Sequence, residues 1–476
     1  MKQHWLSNIS PSYQSICRFL TGWRVACRLP AMPVSLTAPL AARLSQAAAL
    51  LTVMSMLAGT VALVPTDVFV GGEGGHVVYR IPSIIRTTSG RLLAFAEARG
   101  SPADNGSNNL VVRSSDDAGA TWGAMRTVLD EPGRSLNNPC AVDIKTGPHA
   151  GRILLMFQSY PTGKGEGSVA TGFDGLDTCR TLLMHSDDRG ETWSPPRDVS
   201  RQVKRPAPVT SVATGPGIGI QLVKGIHAGR VVMPFNEGPA GKWRVYAALS
   251  DDGGDEWKLG EPAPEDSAGH GNEVQMAERP DGSLLLVARQ FGGGGRRKSA
   301  VSTDGGASWS TLQAVPDLVD PSCMGGLVAA SIDGAPCLVC TGPASTNDRT
   351  NGQAWISTDG GSTWPRSLPI YAGNFAYSVP VVLGDSRIGI LFERDSNSKI
   401  SFITLEIPSN AAPVPKTPLT KSSSLPSAIR KVRAPPQAWL PKWWGLVCVV
   451  QSASLPVDQH RENLNQHGPP YSLRLA

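Results

Sequence analysis

Ser115-Asp116-Asp117-Ala118-Gly119-Ala120-Thr121-Trp122 decides the fold, because the chain repeats it. The pattern S-x-D-x-G-x-[ST]-W returns as Ser186-Asp187-Asp188-Arg189-Gly190-Glu191-Thr192-Trp193. A weaker copy runs from Ser250 to Trp257, with Glu256 where Thr or Ser is expected, and two more run from Ser302 to Trp309 and from Ser357 to Trp364. Their starts lie 71, 64, 52 and 55 residues apart. Each box predicts a β-hairpin. Asp accepts hydrogen bonds from nearby backbone N–H groups and Gly takes a positive φ. The Ser or Thr bonds across the loop, and the Trp packs back on the sheet. The box aspartates are therefore structural and not catalytic.

A second repeat interleaves with the first: a turn, then an apolar strand with a polar end. Its copies begin at Gly90, Gly151, Gly229, Gly282, Gly334 and Asp385, six strands against five boxes. Six four-stranded units of this kind predict an all-β chain folded as a six-bladed β-propeller. Ring closure leaves no open sheet edge. The last strand, near Ile400 to Ile407, is expected to pair with residues before Arg80. The polar ends of the innermost strands then converge on one face around the axis, where a site belongs.

Composition agrees with that reading. Gly and Pro supply 51 and 39 of 476 residues, well above the usual ~12%. A hydrophobic share of 41% builds a core and excludes global disorder. Neither a collagen period nor coiled-coil composition is present. The net charge of +5 is uneven: residues 1–66 carry +5, residues 409–476 carry +6, and the core between them carries −6. The basic balance belongs to the tails, so no nucleic-acid partner is expected. Five of the eight cysteines lie in the core and form no disulfide framework. Cys337-Leu-Val-Cys340 has no second pair to complete a zinc site, and it reads as buried thiols.

The chain divides into a basic N-terminal extension (1–65), the propeller (66–408) and a tail rich in Pro, Ser and Lys, read as disordered (409–476). Trp439, Trp443, Trp444 and Leu446 to Val450 form an apolar island in that tail. Leu44 to Val64 is uncharged and apolar, which suits a signal-peptide core or a signal anchor with membrane association. A start at Met32 makes Arg43 the positive flank and Thr60-Val61-Ala62 the cleavage site. The Arg-rich, acid-free beginning also suits an organelle transit peptide. Export, whether secreted, periplasmic or membrane-anchored, is the expectation.

Arg80, Glu97, Arg99, Asp104, Glu273, Arg289, Arg349, Tyr377 and Glu393 stand at or beyond the polar strand ends. Singly, each reads as a solvated loop residue or a surface ion pair. Together they resemble a known set. Tyr79-Arg80-Ile81-Pro82 is similar to the Phe/Tyr-Arg-Ile-Pro motif of the sialidases (neuraminidases), and the boxes are similar to that family's Asp boxes. Glu97 and Arg99 follow, then Asp104 at +24 from Arg80. Asn272-Glu273 precedes Arg289 by sixteen residues, and Tyr377 lies 28 after Arg349 and 16 before Glu393. The resemblance runs from about Thr66 to Ile407 and leaves both tails unmatched.

The resemblance implies an exo-α-sialidase acting on sialylated glycoproteins, glycolipids such as gangliosides, and oligosaccharides. Arg80, Arg289 and Arg349 would clamp the sugar carboxylate through planar, charge-assisted forks. Glu393 would brace Arg80. Tyr377 would be the nucleophile, a neutral phenol being less repelled than a carboxylate by the substrate's own charge. Glu273 would take its proton. Asp104 would be the general acid and base, and two displacements imply retention. Glu97 and Arg99 are expected to position Asp104 or the clamp, and Asn138 to line the substrate site. The Gly-rich run Thr214 to Gln221 is expected beside the sugar, where glycine permits close backbone approach. Neither a metal nor another cofactor is implied. A trans-sialidase, a hydrolase of a related ulosonic acid and a non-catalytic sialic-acid-binding propeller are the alternatives.

Overall fold

The computed structural model describes residues 64–409 apart from 267–268 and 293. The tail island and, but for Val64, the Leu44–Val64 stretch lie outside the described residues. Within them the chain is all-β. Its helices are one four-residue turn, Ser200–Val203, and two 3-10 turns. No helix among the described residues is long and apolar enough to cross a membrane.

The strands form antiparallel groups in chain order. The first is Val78–Arg86, Leu92–Arg99, Asn108–Ser115 and Arg126–Leu129. The second is Arg134–Asp143, Ile153–Pro161, Arg180–Ser186 and Arg197–Asp198. In the third, Val212–Thr214 and Ile220–Gln221 both pair with Val231–Glu237, which leads to Arg244–Ser250 and Lys258–Leu259. The fourth is His270–Glu278, Leu284–Phe291, Arg296–Ser302 and Gln313–Val319. The remaining strands make one seven-stranded sheet. It contains two groups that share the 19-residue strand Arg366–Gly384. The first half of that strand pairs with Thr350–Ser357, and the second half pairs with Arg387–Arg394. At the far edge Thr66–Val70 pairs with Lys399–Glu406, Thr66 opposite Phe402. The pairing expected between the last strand and residues before Arg80 is formed.

The first strand of each group packs on that of the next, and Arg366–Gly384 packs in turn on Val78–Arg86. The cores lie between neighbouring sheets. One cluster joins Ile84, Leu92 and Val111 to Val379, Leu391 and Phe402, and another joins Phe95 and Leu110 to Leu155 and Phe157. Cys337 and Cys340 sit buried in different clusters of this kind, on opposite faces of their strand. Burial pushes both thiols up to about 11.

The boxes explain the joints. In the first, Ser115 Oγ accepts from Gly119 N (2.9 Å) and donates to Asp117 (2.7 Å). Asp117 also accepts from Thr121 N (2.9 Å) and Thr121 Oγ1 (2.6 Å). The same set recurs at Ser186, Asp188, Gly190 and Thr192. The box glycines have φ near +90°, and each lies against the preceding group. A Cβ on Gly190 would stand 2.6 Å from Leu93, and one on Gly254 would stand 2.4 Å from Leu154. On Gly361 it would stand 2.3 Å from Leu285, and on Gly119 it would strike the Phe402 ring of the last strand at 2.1 Å. Trp122 meets that ring edge to face at 5.5 Å.

The Gly-rich run Thr214 to Gln221 meets its expectation at one end only: Thr214 bonds both ways with Asn138, while its glycines do not line the cavity described below. Gly217–Ile218 adds parallel to Arg134–Asp143 and so bridges the second and third groups. Its glycines serve packing: a Cβ on Gly215 would lie 2.1 Å from Val274 O, and one on Gly217 would lie 2.8 Å from the Gln275 side chain.

Candidate active site

A cavity of about 610 Å³ opens where the first strands converge, and Arg80, Arg99, Asp104, Asn138, Glu273, Arg289, Arg349 and Tyr377 all line it. Bulges aim several of them. The register of the first strands shifts between Arg80 and Ser83, Asn137 and Cys140, Gly271 and Val274, and Phe375 and Ser378. A bulge sets two residues where the partner strand has one and re-aims a side chain. Pro82 and Pro139 fall inside two of these bulges, where a missing N–H costs no ladder bond. Ile81 (φ 56°) and Asn138 (φ 55°) take the left-handed conformation there. That is unusual for a β-branched residue.

Glu393 lies behind the cavity, wholly buried. Its carboxylate accepts from Arg80 Nε (2.8 Å) and Nη2 (3.3 Å), from Ile81 N (2.8 Å) and from Tyr377 N (3.4 Å). One acid thereby fixes the arginine, the strained bulge and the tyrosine backbone. Glu97 is also buried and behind the wall. It accepts from Arg99 Nε (2.8 Å) and from Asn138 N (2.7 Å). Arg99 then reaches forward to Asp104 at 2.6 Å. The Asp104 side chain is 83% exposed, so it stands at the mouth.

On the floor, Tyr377 Oη donates to Glu273 Oε1. Arg289 Nη1 donates to the other carboxylate oxygen (2.7 Å) and to Tyr377 Oη (3.1 Å). The guanidinium carbons of Arg80 and Arg349 lie 5.5 and 5.4 Å from the centre of the tyrosine ring. Burial, reinforced by the Glu273 charge, pushes the phenol well above its ordinary value despite Arg289 and Arg349. Partial desolvation pushes Asp104 up, but Arg99 by charge and hydrogen bond, with Arg80 and Arg349 behind it, holds the carboxyl below its ordinary value.

Other lining residues escaped the sequence reading. Glu166 accepts from Trp243 Nε1 at 3.1 Å. Burial, then the Glu273 charge, pushes its carboxyl up to about 7, against the Trp243 hydrogen bond and Arg289. Trp243 and Phe291 meet edge to face at 4.4 Å. Asn236, 1% exposed, lines the same wall. Asn236 and Phe291 carry a sequence signal, as a polar and an aromatic residue at the ends of the third and fourth strand copies, whereas Glu166 and Trp243 lie between strands and carry none.

The family model of the BNR repeat-like domain matches residues 90–390. A sialidase of Micromonospora viridifaciens is 32% identical over 343 residues, covering 69% of this chain and 51% of the relative. A sialidase of Bacteroides fragilis is 30% identical over 351 residues, covering 68% and 61%. This chain thus spans about half to three-fifths of those relatives. Among solved structures, the Hadza microbial sialidase Hz136 superposes with a TM-score of 0.65 at 27% identity, covering 72% of this chain and 68% of that one.

Proposed function

The chain belongs to the sialidase family through its BNR repeat-like domain, and on that premise we propose that it is an exo-α-sialidase with a tyrosine nucleophile. The observation that carries the reading is the Tyr377 hydroxyl bonded to the Glu273 carboxylate among three arginines in one cavity. Glycosidases ordinarily use two carboxylates, and sialidases are among the exceptions.

Arg80, Arg289 and Arg349 hold the substrate carboxylate, which sets the anomeric carbon over Tyr377. The phenol does not ionise unaided in this setting. It attacks as its proton passes to Glu273. Asp104 protonates the departing glycosidic oxygen at the mouth and then draws a proton from water for the second displacement, so configuration is retained. Asp104 is ionised in the free enzyme. The arriving carboxylate offsets the charges of Arg80 and Arg349 and raises its hold on a proton. The substrates are sialylated glycoproteins, glycolipids and oligosaccharides. A buried tyrosine and an acid exposed at the mouth suit removal of a terminal residue.

The circuit of strand contacts and the Gly119–Phe402 joint support a six-bladed propeller as the scaffold. Transfer to a second sugar is the second reading, because the aromatic pair Trp243 and Phe291 lines the same cavity as Asp104. Export directed by Leu44–Val64 belongs to the same proposal, and N-terminal sequencing of the native protein tests it. The activity is tested with the full chain on a fluorogenic α-sialoside. Release that falls about a thousandfold or more in Tyr377→Phe supports the mechanism. Release retained by that variant overturns it. A parallel assay on the analogue with a hydroxyl in place of the acylamino group tests the wider ulosonic-acid reading.

A further inference from the structure

Two of the three arginines rest on carboxylates, Arg80 on Glu393 and Arg289 on Glu273. Arg349 does not. Its Nη2 donates to the backbone carbonyl of Ser322 at 2.9 Å. The third arm of the clamp therefore stands as firmly as that carbonyl does.

Ser322 lies in the turn Asp320-Pro321-Ser322-Cys323, ahead of the strand Leu327–Ile332. Asp320 is 3% exposed. One carboxylate oxygen accepts from Cys323 N (2.9 Å) and the other from Gln290 N (2.7 Å). The Asp320 N–H donates to Gly295 O (3.0 Å), and the Ser322 hydroxyl donates to Gln290 O (3.1 Å). Both backbone groups of Gln290, the neighbour of Arg289, are thus tied to the turn that carries Arg349's acceptor. From the other side Arg297, 1% exposed, donates to Cys323 O at 3.0 Å. Ser322 itself has φ 55°. The surrounding bonds sustain that strained conformation, and the carbonyl it carries accepts from Arg349. The glycines that follow allow the fit: a Cβ on Gly325 would come within 2.5 Å of the Arg297 guanidinium, and one on Gly326 within 2.7 Å of Ser378 O, beside Tyr377.

We propose that Asp320 is a positioning residue for the carboxylate clamp, fixing the spacing of Arg289 and Arg349 through the Asp320–Cys323 turn. It touches neither the cavity nor the substrate. Its two oxygens hold the strand end after Arg289 and the turn under Arg349 in one register. Asp320→Asn sets an NH₂ against one of two backbone N–H donors, so one arm must open. The inference rests on reading the arginines as a carboxylate clamp.

A double-mutant cycle on the full chain tests it. The dissociation constant of the 2,3-dehydro analogue of sialic acid is measured for the parent, Asp320→Asn, Arg349→Ala and the double variant. We expect Asp320→Asn to weaken binding about tenfold in the parent and less than threefold where Arg349 is already gone. Factors within threefold of each other in the two backgrounds overturn the proposal, as does unchanged binding in Asp320→Asn. Should Asp320→Asn fail to fold, Ser322→Ala, which removes only the tie to Gln290 O, takes its place under the same criterion. Failure of the clamp reading is seen separately. The parent then does not bind the analogue, or Arg349→Ala binds it as the parent does, and either result removes both claims.

Discussion

Glu166 makes the cleft sensitive to pH near neutrality. Its carboxyl, pushed up to about 7 by burial and by Glu273, is neutral in mild acid and charged in mild base. The charges bearing on it are Glu273, Arg289 and Asp104. Above pH 7 it adds a negative charge to a cleft that must admit an anion. The KM for a sialoside should rise as pH climbs through about 7 and stay flatter in Glu166→Gln. Equal profiles would remove the residue from substrate recognition. Stability follows the same proton. The folded chain retains it between about 4.5 and 7 while the unfolded chain has lost it, so Glu166 costs stability as pH rises through that interval. Glu166→Gln should gain Tm over the parent as pH rises from 4.5, with the full gain above 7. Glu393→Ala should behave oppositely at every pH near neutrality. It takes from the partly buried Arg80 its close carboxylate and leaves only Asp104 at 4.0 Å, at a cost of about 1.5–3 kcal/mol, read as a lower Tm and lost binding of the sialic acid carboxylate. Glu393 was legible in the sequence because it belongs to a motif set. Glu166 and Asp320 were not: one sits in an irregular segment between strands, and the other answers backbone groups that no residue pattern records.

At the scale of the element, the box hairpins were legible down to their polar contacts, because Ser, Asp, Gly and Thr act on one another within eight positions. The bulges were less so. Arg80-Ile81-Pro82 and Asn137-Asn138-Pro139 place a proline inside a strand, which is the sign of a bulge. Glu273 and Tyr377 sit in bulges with no proline, and only the register of the paired strand reveals them. The Gly-rich run misled for a physical reason. Glycine marks close approach, but the sequence does not say to what, and here the partners are Val274 and Gln275. A box prediction belongs at this scale. Gly119→Ala forces a side chain into the left-handed region and into the Phe402 ring. The left-handed conformation costs about 1–2 kcal/mol and overpacking about 1–3 more. Urea unfolding should show a loss within that combined range, while kcat/KM per folded molecule stays at the parent value. A variant as stable as the parent would mean that the box does not bear on the last strand.

For the whole molecule, the pairing that joins the two ends of the described chain depends on one short strand. Thr66–Val70 is laid on Lys399–Glu406, and Asp67 is its polar anchor. The Asp67 carboxylate accepts from Arg394 (2.5 Å), Lys399 (2.8 Å) and Ser401 (2.7 Å), across as many as 334 positions of sequence. The repeat spacing made this closure foreseeable, since the sixth strand copy has no box of its own. The anchor was not foreseeable, because Asp67 belongs to no motif. Arg394 adjoins Glu393, so the joint lies one residue from the brace of the carboxylate clamp. Burial raises the Asp67 carboxyl, but its hydrogen bonds to Lys399, Ser401 and Arg394 outweigh burial and hold it below its ordinary 3.8. A carboxyl depressed on folding contributes stability above its unfolded pKa and loses it as pH falls through the folded value. Asp67→Asn should therefore lower Tm at pH 6 to 7, and the gap from the parent should hold as pH falls to about the ordinary 3.8 and narrow below it. A gap of constant size would mean that the asparagine disturbs the strand by shape and that the closing charge contributes nothing. If the gap narrows, binding of a sialoside near neutral pH should weaken in Asp67→Asn, because Arg394 is left with Asp395 as its carboxylate partner and its tie to the first strand loosens beside Glu393.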